Sequence, residues 1–447
     1  MFREVPNNIK IIKLFILLSF FVCWMSISTS FKDLLIFNES NDFNVKDIFN
    51  FLRHLSIYIC FFFSVLIFLF FNKKISFKKY IIFYFLIGYF ISQVYGLFAS
   101  ENEIKNISYV ISALTIIFTI ILLDNFFTKS EKKYFLILSF IILNIVFFLT
   151  FFPQFIKYFN GAPIYGGFLT SEVFLNKVSP RSSGLARSAL IILIFIEFFE
   201  INYSKRHTKK ILLLKIIFLT FIFLFQSRTM LFLTVLTYLI IFINKNEITL
   251  KNFFKFFSSY ILIPFILFYL LSTINSYQIS NKSYENAPNI KSYIEHLNSD
   301  ELKVLRVMSE EDISSGRFDD WNEIIKSISG KNIIYGFGAQ GDRFLIKQTA
   351  SNGLIYAYSS SGVIGLTFFV IFLIMVCIKT IKVFIYHFRK NLGKILYCLI
   401  IVFLSLRGIL ETSYAVFSID LIIFVLALSF ISNEKVKINN IKFKFLK

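Results

Sequence analysis

Long apolar runs, separated by short clusters of charge, set the plan of this chain. Twelve runs recur, at about 10–29, 55–71, 80–99, 106–127, 134–156, 185–203, 210–226, 228–244, 254–274, 353–378, 394–411 and 412–431. Each is long enough to cross about 30 Å of hydrocarbon as a helix. Open strands are excluded there, because lipid cannot satisfy their backbone N–H and C=O groups. The pattern predicts an all-α polytopic membrane protein of about twelve transmembrane helices. Its weakest boundary is Gln226-Ser227-Arg228, which splits one apolar stretch into two spans. Composition agrees: 56% of the residues are hydrophobic, 62 of the 447 being Phe, too apolar for a soluble protein.

The net charge of +20 invites a nucleic-acid reading, but the placement of the charge excludes it. Lys and Arg gather in alternate connectors: Lys73–Lys79 after span two, Lys129–Lys133 after span four, Lys205–Lys210 after span six, Lys245–Lys255 after span eight, and Lys379–Lys394 after span ten. The tail, rich in Lys from Lys435 to Lys447, continues the series, while the intervening loops are poorer in cations. This is the positive-inside pattern, and it predicts both termini in the cytoplasm. The first span lacks a small-residue cleavage site and reads as a retained signal anchor. Cys23, Cys60, Cys377 and Cys398 all fall within spans, without disulfide or zinc spacing, and read as packing residues.

One long polar loop, about Asn275 to Ser351, is thereby placed outside, where it carries most residues capable of chemistry. Its second half predicts an amphipathic helix with Phe318, Trp321, Ile324, Ile325 and Ile328 on one face, Ser315 as cap and Gly330 as stop. A Gly-rich turn follows. Gly336, Gly338 and Gly341 formally match a dinucleotide fingerprint, but a loop of this length has no room for the βαβ units that fingerprint needs. A shorter outward loop, about 157–184, is rich in Gly and Pro and leads into span six.

Six arginines near the predicted outer face form the informative set: Arg181, Arg187, Arg228, Arg317, Arg343 and Arg407. A charge near the hydrocarbon core is costly, so such an Arg faces a cavity or a partner. Guanidinium forks bind phosphate oxygens in pairs and stay charged at any physiological pH. An outward cavity ringed by them suits a lipid-linked pyrophosphate. The alternative stays open that each snorkels or pairs with a carboxylate, as Arg407 would with Glu411 one turn on. Asp420, in span twelve, is the deepest acid on the outer side, to be explained by function or by an Arg of another span. Glu197 and Glu200 read as local pairs with Lys205 and Arg206.

The ordered series RSSGLARS near 181–188, QSR at 226–228, SGRFDDWNEIIKSI…YGFG at 315–338 and SNGLIYAYSSSGVIG at 351–365 resembles the O-antigen ligase and O-antigen polymerase superfamily over roughly residues 180–430. The resemblance implies a GT-C-like helical bundle in a bacterial inner membrane, with its large loop in the periplasm. It also implies a metal- and cofactor-independent glycosyltransferase acting on undecaprenyl-pyrophosphate-linked oligosaccharide. Arg181 and Arg228 would bind the pyrophosphate, and Arg317 would belong to the family's Arg-x-x-x-Trp loop motif. Residues 1–179 form an N-terminal membrane region, 180–431 the family-like region and 432–447 a basic tail.

The chain departs from the ligase pattern at Ser351-Asn352, where ligases carry His-Asn and use the His as base. Ser351 cannot replace it at its ordinary pKa, and His54, His207, His296 and His387 lie elsewhere. Either a carboxylate moves the proton, with Glu172, Asp319, Asp320 and Glu411 as candidates, or the pyrophosphate leaving group removes the need for a strong base. Asp319 and Asp320 equally suit an ion pair with Arg317. The missing His favours a polymerase, working alone or beside a chain-length regulator, over a ligase that transfers glycan to lipid A-core. A transporter is the rival class, disfavoured by the lack of an internal repeat.

Overall fold

In a computed structural model of the chain, the described residues are 81–99, 182–203, 208–225, 227–245, 249–281, 317–346, 350–410 and 419–432, with single positions between 58 and 159. All regular structure among them is helical: α1 (Ile81–Ala99), α2 (Ser182–Tyr203), α3 (Thr208–Leu224), α4 (Arg228–Lys245), α5 (Leu250–Phe257), a π-helical turn (Ser258–Leu262), α6 (Ile263–Asn281), α7 (Arg317–Ser327), α8 (Asn332–Tyr335), α9 (Gly341–Ile346), α10 (Gly353–His387), α11 (Leu392–Leu410) and α12 (Ile419–Ser432). The chain is an all-helical, membrane-embedded protein. Five described stretches are long and apolar enough to cross a bilayer: Ile81–Phe98, Arg228–Lys245, Leu250–Asn275, Gly353–His387 and Leu392–Ile409.

Three other expected spans correspond to α2, α3 and α12. Each has a reason to fall outside those five. Helix α2 carries Arg187, Glu197 and Glu200. Helix α3 has 17 residues and α12 has 14. The expected break at 226–228 is present, with α3 ending at Leu224 and α4 starting at Arg228. Helix α10 runs on to His387, well past the boundary near 378 that hydropathy alone suggests. The first expected span, 10–29, lies outside the described residues.

Helix α2 is the core element. From Leu185 to Phe198 nearly every side chain is buried, with no amphipathic face, as expected of a helix surrounded by others. It packs against α3, α4 and α11; α11 in turn packs against α10 and α12. Aromatic contacts mark these seams: Phe198–Tyr397 at 4.8 Å, Tyr397–Phe430 at 4.6 Å and Phe372–Phe424 at 5.9 Å between ring centroids. Helix α6 is peripheral, its apolar side chains almost wholly exposed, as lipid-facing surface would be.

Helix α10 is broken inside its apolar stretch. Asn352 caps its start, accepting from the N–H groups of Leu354 at 2.8 Å and Ile355 at 3.1 Å. At Gly362 the backbone leaves helical geometry, with φ +60°. Such a break frees carbonyls that lipid cannot satisfy. The Gly-rich turn supplies the donors: Phe337 N–H donates to Ser359 O at 2.8 Å and Gly338 N–H to Ser360 O at 2.9 Å. Ser359, Ser360 and Ser361 are fully buried at this junction, and Gln93 of α1 reaches the Ser360 hydroxyl at 3.3 Å. The Gly336-Phe-Gly338 motif therefore serves close backbone approach. At Gly336, φ is +73° and a Cβ would overlap the Ser361 and Gly362 amides.

The amphipathic helix forms as α7, and Gly330, at φ +57°, lies just beyond its end. Its buried row differs from the expected one. Asp320, Ile324 and Ile328 face inward, four residues apart, whereas Phe318 is 60% and Ile325 47% exposed. The expected stripe holds at Ile324 and Ile328 and in part at Trp321, while a carboxylate, Asp320, takes the remaining position of the inner row.

Replacing Gly336 or Gly362 with Ala strains a left-handed backbone, at a cost of about 1–3 kcal/mol each. Both variants are expected to lower the detergent-solubilised melting temperature, whereas Gly184→Ala, where a Cβ meets nothing within 4 Å, leaves it unchanged.

Candidate functional site

Three helices bring charge together inside the bundle. Asp420 of α12 accepts, through Oδ2 alone, from Arg187 Nη1 of α2 at 3.1 Å and Arg407 Nη1 of α11 at 2.8 Å. The Asp420 side chain is 0% exposed, Arg407 7% and Arg187 13%. Local sequence favours this meeting. Ala186 and Ala189, both fully buried, keep α2 slim around Arg187. Arg407 sits in the last turn of α11 and Asp420 in the first turn of α12. Each therefore lies at the helix end whose dipole stabilises its charge.

Among the described residues two guanidiniums share one carboxylate oxygen. Arg187 Nε and Asp420 Oδ1 are buried and make no hydrogen bond among the described residues. Guanidiniums held side by side in surroundings of low dielectric have the chemistry to pair with an anion. The pairing with Glu411 one turn on cannot be followed, since Glu411 lies outside the described residues; the α12 carboxylate takes the part of partner to Arg407.

A second polar group lies where α7, α9 and α10 meet. Trp321 Nε1 donates to Ala350 O at 2.6 Å. Asp342 is 1% exposed; its Oδ2 accepts from Ala350 N at 2.8 Å and its Oδ1 from Arg343 N at 2.9 Å. Burial pushes the Asp342 carboxyl above the usual carboxylate range, with these two N–H bonds and the Arg343 charge pulling it back. Sequence reasoning passed over Asp342. The available signal was an acid directly after the Gly-rich turn, in the first turn of a helix.

The remaining expected residues divide between these places. Ser351, at φ +49°, and Asn352 are buried at the entry to α10, where the Asn352 side-chain oxygen is engaged as the cap. Arg317 is half-buried and Asp320 buried on α7, while Asp319 and Arg343 are exposed. Arg228 is exposed at the first position of α4. Arg181, Glu172, His54 and His296 lie outside the described residues.

A third group sits at the other end of α2. Lys215 contacts Glu197 at 2.6 Å and Glu200 at 2.7 Å, and Lys245 contacts both at 2.7 Å. Lys205 and Arg206, the expected local partners, lie outside the described residues; the pairs seen run across three helices. Among the described residues two lysines meet two glutamates, and this group ties α2, α3 and α4 together.

Fold and site together define a helical membrane protein with a buried Arg–Asp–Arg group between three of its helices. Comparison with protein-family models, with curated proteins and with solved structures yields no match.

Asp420→Asn removes the carboxylate charge that Arg187 and Arg407 share, and breaking a buried ion group this way costs about 3–5 kcal/mol. Thermal unfolding in detergent should show that loss, and adding Arg407→Met to the same chain should restore part of it. Asp342 gives a pH prediction. Its folded pKa is raised, so its contribution to stability is fullest at low pH and declines as pH rises through the folded pKa. Melting temperature followed upward from pH 4 should fall more steeply for the native chain than for Asp342→Asn.

Proposed function

We propose that this chain is a membrane glycosyltransferase that joins undecaprenyl-pyrophosphate-linked glycan units, as a polymerase of a bacterial surface polysaccharide such as O-antigen. The observation that carries the reading is the buried centre of Arg187, Arg407 and Asp420, which holds two guanidiniums side by side in the geometry that suits a pyrophosphate. The motif series from 181 to 365 supports the class, with Arg181, Arg228 and Arg317 as further donor-binding groups. In this reading the chain crosses an inner membrane about twelve times, both termini are cytoplasmic, and the loop bearing α7 faces the periplasm.

The reaction forms one glycosidic bond and breaks another. An acceptor hydroxyl attacks the anomeric carbon of the donor, inverting it. The bond to the pyrophosphate oxygen breaks, and that oxygen leaves with the electron pair. The hydroxyl proton passes to a carboxylate or to the departing pyrophosphate. Arg187 and Arg407 stabilise the charge that grows on the leaving group, which is where fixed positive charge lowers a barrier most. A ligase that delivers glycan to lipid A-core uses the same donor chemistry and differs only in acceptor. A transporter draws support from the broken helix α10, since interrupted spans are common in transporters. Against it, the freed Ser359 and Ser360 carbonyls are already bonded by the Gly-rich turn and offer no coordination to an ion.

The test is a reconstituted reaction with undecaprenyl-pyrophosphate oligosaccharide, with and without lipid A-core, read by mass spectrometry. Longer glycans on undecaprenyl are expected; glycan on lipid A-core would mark a ligase. No new bond with either acceptor, with transmembrane movement of the lipid-linked glycan in its place, would overturn the reading. Arg407→Lys loses the bidentate fork and should lower turnover by about 10²-fold or more.

A further inference from the structure

One short turn of the polar loop is built for lipid as its surroundings. Helix α8 packs against α1 and α10. These two helices run antiparallel, since Gly88 faces Phe368 and Gly96 faces the Ser360 carbonyl. The end of α1 and the start of α10 therefore share one end of the bundle, and both helices hold stretches apolar enough to cross a bilayer. Helix α8 sits below that end. The Tyr335 carbonyl lies against Gly96, in the last turn of α1, and the Ile334 carbonyl lies against Gly362. Gly362 is nine residues past Gly353, a depth of roughly 13 Å along a helix.

The outward side chains at this depth are apolar. Ile333 is 40% and Ile334 47% exposed. Tyr335 packs on Tyr95, with ring centroids 4.8 Å apart. Tyr95 belongs to the exposed row Ile91, Tyr95 and Phe98 of α1, and Val363 and Ile364 of α10 are exposed beside Gly362. The isoleucines of α8 thus extend the outward apolar surface of two membrane helices. Such surface marks contact with a partner or a membrane. The backbone decides for the membrane. Water would satisfy an open turn, but lipid cannot, so backbone at membrane depth must be bonded within the protein. Every N–H from Asn332 to Gly338 meets that demand. Asn332 donates to Ser329 O, Ile333 to Gly330 O, Ile334 and Tyr335 to Lys331 O, Gly336 to Asn332 O, and Phe337 and Gly338 to the freed carbonyls of α10. Lys331, exposed where the turn begins, and the Tyr95–Tyr335 pair are residue types that settle at the headgroup boundary.

We propose that α8 is a membrane-inserted turn that sets Ile333 and Ile334 among the acyl chains just beneath the headgroups, in the leaflet where α1 ends and α10 begins. It holds α7 and α9, its neighbours in the chain, at the bilayer surface. The proposal is independent of the glycosyltransferase reading. For the test, Cys23, Cys60, Cys377 and Cys398 are replaced with Ala, and Ile333→Cys, Ile334→Cys, Ser327→Cys and Ile374→Cys are introduced singly. Each is labelled with NBD and reconstituted into phosphatidylcholine nanodiscs. Emission is quenched from water by iodide, or from lipid by a doxyl group carried near the glycerol or near the acyl terminus. At 333 and 334 the doxyl near the glycerol should quench most and iodide least. Ile374→Cys, on the exposed face of α10, should respond to doxyl lipid and not to iodide. Ser327→Cys, exposed at the end of α7, should respond to iodide alone. Ile334→Trp in the otherwise native chain serves should the chain without cysteines fail to fold; its added emission should be lost in lipid brominated near the glycerol. If the probes at 333 and 334 behave like the one at 327, the turn lies in water and the proposal is overturned. Quenching by neither route would mean that protein covers the turn, which overturns it as well.

Discussion

Charge taken into an apolar bundle must be paired by the protein itself, and the placement of α2 follows from that constraint. Its inner face carries Arg187 towards one end and Glu197 and Glu200 towards the other. None of these is tolerable in hydrocarbon alone. Asp420 and the lysines of α3 and α4 meet them, so α2 is fixed at both ends by bonds that no lipid could replace. The apolar length between, from Leu190 to Ile196, then packs without a preferred face. The two charge groups differ in make-up: among the described residues one sets two lysines against two glutamates, and the other sets two guanidiniums on one carboxylate oxygen.

The same accounting applies to the backbone. Breaking α10 at Gly362 would be prohibitive in a span that faced lipid. Here the Gly-rich turn donates two N–H groups into the gap, and the absence of side chains at Gly336 and Gly96 allows the approach. The loop helices are thereby fastened to the membrane bundle by main-chain bonds. Asp342 and Trp321 secure the next segment at Ala350, immediately before the cap of α10. The loop helices and the membrane helices are packed together at this junction, and the buried polar residues belong to both.

By itself the sequence determined the class of fold. Apolar length, the exclusion of strands from lipid and the alternation of basic connectors are local properties, so α1, α2, α3, α4 and α11 begin and end near the expected positions. It also singled out Arg187, Arg407 and Asp420, because a charge inside an apolar run is conspicuous. The tertiary structure alone decided the partners. Arg407 faces Asp420 across a helix boundary, and Glu197 and Glu200 reach Lys215 and Lys245 in other helices. It also chose the inner face of α7, which holds Asp320 and turns Phe318 outward, and it turned a Gly-rich motif into the patch for a broken helix. The physical reason is common to these cases. Hydropathy reports how each residue weighs water against lipid, whereas pairing depends on which residues, distant in the chain, arrive at hydrogen-bonding distance.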